Sequence, residues 1–123
     1  MIAYDLSHDP PAPALQVTVA NPLNRRLRFT VPALLDTGAD VTAIPEACLQ
    51  RLRLYAIRQI KFEDLNAQVL FLESYNIKLT IGQLTIPKLE VILTGLPFAV
   101  IGRDVLNRFD LHLYGPRQLF EIT

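Results

Sequence analysis

The chain runs to 123 residues, half of them hydrophobic, with 12 Lys and Arg against 12 Asp and Glu. That is enough to bury one core and too little to divide into two, and a net charge of zero argues against nucleic acid or an anionic membrane as partner. The apolar stretch at 92–101 is broken by Thr94, Gly95 and Pro97 and falls short of the roughly 20 residues that span a bilayer, while Cys48, the only cysteine, excludes an internal disulfide and leaves no basis for a cysteine zinc site.

The N-terminal residues show no basic region followed by an apolar run and a small-residue cleavage site, so a cytoplasmic location is expected. Residues 1–13 contain Pro10, Pro11 and Pro13 among polar residues, a density of proline that excludes a helix or sheet interior and predicts a loosely held arm. Residues 14–123 are then one domain. Between 15 and 20, Leu15, Val17 and Val19 alternate with polar residues, and Leu27, Phe29 and Val31 alternate with Arg26, Arg28 and Thr30. Both patterns have the period of a half-buried strand, and the turn at 21–24 joins them as a hairpin whose arginines form its wet face.

An apolar strand at 32–35 leads into Asp36-Thr37-Gly38-Ala39-Asp40, where glycine after small polar residues marks a tight turn. Pro45 suits the first turn of a short helix ending near Leu54, with Ile44, Cys48, Leu49 and Leu52 on one face and Cys48 a packed thiol. Strands are predicted at 57–62 and 69–81, separated by a polar stretch at 63–68, and again at 84–93, where Pro87 implies an edge or a break in the ladder. A short strand at 98–101, a helix at 104–109, and strands at 111–114 and 118–122 around Gly115-Pro116 complete a predominantly β chain with two short helices.

A lone Asp-Thr-Gly is common in turns and proves little. Here it follows Leu34-Leu35 and is answered about sixty residues later by Val100-Ile101-Gly102-Arg103-Asp104-Val105-Leu106. Together these motifs strongly resemble the retropepsins, aspartic peptidases known from retroviruses and also found in bacteria, over a span from about Leu15 to the C-terminus. The resemblance implies an all-β closed barrel of the acid-protease fold, one lobe per chain, and an aspartic endopeptidase without metal or cofactor. One Asp-Thr-Gly per chain implies a homodimer with Asp36 from each subunit at the seam and a polypeptide as substrate. The resemblance further implies that Thr37 reaches across the twofold axis and that Gly38 lets the backbone approach substrate. Ala39 and Gly102 support the loop, and Asp40 pairs with Arg103. If that pair is buried, losing Arg103 should cost about 3 to 5 kcal/mol. The stretch at 63–68 occupies the place of the mobile flap, with Asp64, Leu65, Asn66 and Ala67 at its tip, where it departs from the family in lacking glycine. The terminal strands are expected to pair with the partner chain. The alternative is a retropepsin-like module that dimerises or binds peptides without turnover.

Overall fold

The computed structural model describes all 123 residues. Its elements are β1 (Ile2–Ala3), β2 (Ala14–Asn21), β3 (Asn24–Leu35), β4 (Ala43–Pro45), α1 (Ala47–Arg51), β5 (Arg58–Glu63), β6 (Val69–Ile81), β7 (Leu84–Thr94), β8 (Ala99–Ile101), α2 (Arg103–Leu106), β9 (Leu111–Tyr114) and β10 (Leu119–Ile122), the last two joined by a 3-10 turn at Gly115–Arg117. No helix is long and apolar enough to cross a membrane.

The period-2 pattern decides which side chains face inward. On β2 and β3, Val17, Val19 and Val31 are buried while Arg26, Arg28 and Thr30 are exposed, as alternating strands with one wet face require. The strands follow the order β2-β3-β8-β4-β7-β6-β5, and a further pairing of β2 with β6 returns the sheet on itself. Ile44, Leu52, Ile77, Leu79, Ile101, Val105 and Phe120 fill the interior and are fully buried. Each large apolar side chain so buried contributes roughly 1.5 to 3 kcal/mol.

Pro87 interrupts the ladder as expected. The β6–β7 register shifts between Ile77 and Leu79, whose partners are Leu89 and Ile86, so Pro87 and Lys88 bulge out where a missing N–H does no harm. Pro45 sits elsewhere than expected: it ends β4, and the helix spans only Ala47–Arg51. Burial explains the difference. Ala43 pairs with both Ile92 of β7 and Val100 of β8, and Ile44 is fully buried, so these residues gain more from the sheet than from a helical turn. The helix then stops before Leu54 because Arg53 turns into the left-handed region at φ 52°.

Residues 1–13 are tied down more firmly than a loose arm. β1 pairs with β10, the Tyr4 N–H donates to the Gln118 carbonyl, and Asp5 bridges Ala12. The prolines lie outside this strand, so its ladder is intact. β10 therefore runs between β1 and β9, leaving those two as the open edges of the small terminal sheet.

β5 pairs only with β6, yet its foot is anchored two strands away. The Arg58 guanidinium donates to both carboxylate oxygens of Glu90 on β7 at 2.7 Å, and the hydroxyl of buried Ser74 on β6 donates to the same carboxylate at 2.6 Å. Arg58 first, then Ser74, draws the Glu90 carboxyl down to about 2. A depressed carboxyl contributes stability that is complete above its ordinary value of 4.5 and lost as pH falls toward about 2. The urea midpoint of Glu90→Gln should thus lie below wild type at neutral pH, and the gap should close progressively as the medium is acidified below 4.5. A gap independent of pH would remove the charge from this account.

Candidate active site

Residues 36–42 connect β3 to β4, but those strands are not neighbours, because β8 lies between them. Leu35 pairs with Ile101 in parallel, and the Asp36 N–H donates to the Ile101 carbonyl at 2.9 Å. The end of β3 is thereby fixed by a strand far away in sequence. Within the turn, the Asp36 side-chain Oδ1 accepts the Gly38 N–H at 2.9 Å, and the Asp36 carbonyl accepts the Ala39 N–H at 3.2 Å. Asp36 is half-buried, whereas Thr37 and Gly38 are exposed.

The Gly102-Arg103 segment grips the loop from below. A side chain at Gly102 would come within 2.8 Å of the Val41 backbone and 2.9 Å of the Ala39 carbonyl, so only glycine allows this approach. The Arg103 N–H donates to the Ala39 carbonyl at 2.9 Å, and its guanidinium donates to the Thr37 carbonyl at 2.7 Å. The same guanidinium pairs with Asp40. In the single chain this ion pair is open to water, with the Asp40 side chain 77% and that of Arg103 45% exposed, so the condition for a large charge-burial cost is not met. An exposed pair of this kind contributes about 0 to 1 kcal/mol.

Thr42, which the sequence does not single out, and Asp104, to which the motif assigns no role, complete the brace. Thr42 is fully buried, its N–H donates to Asp104 Oδ2 at 3.0 Å, and its hydroxyl donates to Asp104 Oδ1 at 2.7 Å while accepting the Gly102 N–H at 3.1 Å. Every polar atom of this buried knot is satisfied, which makes it stiff. The available signal was a carboxylate at the first turn of α2 and a threonine two residues beyond Asp40.

The predicted tip residues Asp64, Leu65, Asn66 and Ala67 do form the turn of the β5–β6 hairpin. Asp64 Oδ1 accepts the N–H groups of Asn66 at 2.8 Å and Gln68 at 2.9 Å, and Ala67 takes φ 61°. An alanine thus fills the left-handed position where glycine is cheapest, and the Asp64 carboxylate supports the turn in its place. Phe62 and Leu70 are cross-strand partners and share one face. From that face Phe62 lines a cavity of about 350 Å³ with Gly38, Val41, Ile92 and Val100, so the hairpin and the aspartate loop border the same apolar cleft. Cys48 does not line it and is fully buried, and burial pushes its thiol up to about 11, the state of a packing residue.

A family model described as "gag-polyprotein putative aspartyl protease" matches residues 27–108. The chain belongs to this family. It is a retropepsin-like aspartic endopeptidase, and the matched span takes in the aspartate loop, the hairpin and the Gly102-Arg103 brace. No curated protein matches it. Among solved structures, the EIAV protease complexed with the inhibitor HBY-793 superposes with a TM-score of 0.59 at 22% identity, over 87% of this chain and 93% of that one. The simian foamy virus (mac) protease gives 0.58 at 15% identity, over 77% and 92%. A foamy viral protease-reverse transcriptase in complex with an RNA/DNA hybrid gives 0.57 at 21% identity over 78% of this chain, but over only 12% of that much longer one. These likenesses extend to the fold, which is the all-β architecture expected.

Proposed function

We propose that the active peptidase is a homodimer in which Asp36 of one protomer meets Asp36 of its partner. The observation that carries this reading is a single aspartate loop per chain, braced from below by Gly102, Arg103 and the Thr42–Asp104 knot while Thr37 and Gly38 stay exposed. Two carboxylates about 3 Å apart cannot both ionise cheaply and share one proton. The ionised Asp36 accepts a proton from a bound water, whose oxygen attacks the peptide carbonyl. The protonated partner aspartate meanwhile hydrogen-bonds the carbonyl oxygen. The tetrahedral intermediate then collapses with a proton passing to the departing amine. Apparent pKa values belong to the pair, so activity should follow a bell centred on the acid side of neutral.

In this reading Thr37 bonds across the twofold axis, Gly38 presents its carbonyl to the extended substrate, and Asp40 with Arg103 sets the loop's outer end. The hairpin tip at 64–67 closes over the peptide and excludes water, with Phe62 contributing to an apolar subsite. The partner adds its strands to the open edge of β9, where Leu113 is 52% exposed.

The test is cleavage of a mixed peptide library at a series of enzyme concentrations, alongside sedimentation of the same samples. Activity should rise with the square of concentration below the dimer Kd and linearly above it, with dimer fraction and activity rising together. Turnover that stays linear through a range where only monomer sediments would overturn the two-chain site. A folded dimer with no turnover would leave a peptide-binding module.

A further inference from the structure

A second concavity lies outside the cleft, at the foot of the hairpin. Its volume is about 290 Å³, and it is bounded by the β2–β3 turn, the residues after α1, and the bulge of β7. Three large apolar residues border it and are open to water: Leu23 is 97% exposed, Tyr55 85% and Ile57 48%. Isolated exposed apolar residues are ordinary; three around one hollow offer a place for an apolar group. Arg53 and Lys88 line the same cavity, and neither forms an ion pair with an acidic side chain. The nearby Glu90 is already committed to Arg58 and Ser74.

Arg53 carries an independent mark. Its φ of 52° is left-handed, a conformation that disfavours a side chain and that glycine adopts freely. The turn itself therefore gains nothing from arginine, yet Arg53 lines the pocket. Lys88 is set by the β6–β7 bulge, another irregularity on this rim. Two backbone departures thus each place a cation beside the same apolar hollow.

We infer that this pocket is a docking site for an extended polypeptide segment bearing an apolar or aromatic side chain next to a carboxylate. The apolar group enters between Leu23, Tyr55 and Ile57, and the carboxylate meets Arg53 and Lys88. Asn76, also on the rim, offers its amide to the peptide backbone. The site is separate from the cleft and does not depend on the catalytic reading. It adjoins Arg58 through Ile57, whose N–H donates to the Ser74 carbonyl at 2.9 Å, so a docked segment also touches the strand that carries the hairpin.

The test titrates the full chain, ¹⁵N-labelled and carrying Asp36→Asn to prevent cutting, with the peptide Ser-Gly-Phe-Glu-Gly-Ser at up to millimolar concentration. Amide shifts should gather at Leu23, Tyr55, Ile57, Asn76 and Lys88. Replacing the peptide's Glu by Gln, or Phe by Ser, should weaken binding about fivefold to tenfold, the scale of one net hydrogen bond or one partly buried ring at an exposed site. Arg53→Gly is the decisive variant, because it relieves the left-handed residue: it should melt no lower than its parent and still lose about the same factor in affinity. The inference is overturned if no shifts appear, if they fall only on residues 38–41 and 92–100, or if Arg53→Gly binds as tightly as its parent. A single-stranded oligonucleotide that gives the same shifts, with the peptide giving none, overturns it in favour of nucleic acid.

Discussion

Asp36→Asn should abolish peptide cleavage while leaving the fold and the dimer intact. The asparagine side chain keeps an Oδ1 to accept the Gly38 N–H that Asp36 now accepts at 2.9 Å, so the loop has no reason to move. What disappears is the ability to exchange a proton. Positioned acid–base catalysis contributes about 10² to 10⁴ in rate, and because the substitution enters both halves of the proposed dyad, the fall should be at least a thousandfold on this scale. Mixing makes the test sharper. When wild type and Asp36→Asn are unfolded together and refolded as a mixture, activity should follow the square of the wild-type fraction, since only dimers with two aspartates turn over. A linear dependence would mean that one Asp36 suffices, and the shared-proton mechanism would fall with it.

Gly102→Ala should be the most damaging small substitution in the chain. The added methyl meets the Val41 carbonyl carbon and oxygen at 2.8 Å and the Ala39 carbonyl oxygen at 2.9 Å. All three are backbone atoms: the Ala39 carbonyl is held by the Arg103 N–H, and the Val41–Thr42 peptide by its N–H to Asp104, so that backbone does not yield easily. Overpacking typically costs about 1 to 3 kcal/mol, and a site enclosed by fixed backbone belongs at the upper end, with a fall in Tm on the order of 10 °C for a domain of this size. Activity should fall further than stability, because the relief available is displacement of residues 39–41. Gly82 is the control. Its φ of 58° disfavours a side chain, but an added methyl meets nothing within 4 Å, so Gly82→Ala should lose only about 1 kcal/mol and retain cleavage. Equal damage at both positions, measured by thermal melts and peptide hydrolysis, would refute the steric account.

What the sequence disclosed was local or periodic. The strands of 14–35 and 69–93 were readable because Val17, Val19, Val31, Ile77, Leu79 and Val91 recur at the period of a strand with one buried face. The aspartate turn and the Gly102-Arg103 segment were readable because each is a compact motif. The elements that escaped depend on distant partners. β4 is only three residues long and becomes a strand because β7 and β8 flank it, which no property of Ala43, Ile44 or Pro45 announces. Thr42 and Asp104 look like ordinary polar residues until the fold joins them across 62 positions. The ion pair of Asp40 and Arg103 was foreseen, but its exposure was not, since burial is a property of the surrounding surface. β1 escaped for the same reason: the prolines that follow it describe their own segment and say nothing of the edge that β10 offers.

The insertion of β8 between β3 and β4 also orders events in time. Asp36 donates its N–H to a carbonyl 65 positions downstream, and the chain between must be looped back before that bond can form. Contacts of such long range make folding slow and late. On a growing polypeptide the aspartate loop emerges before residues 99–104 and stays slack until they follow it out. The loop therefore cannot take up its braced geometry before residues 99–104 have been made, so in a shorter nascent chain the aspartate is held in sequence but not in place.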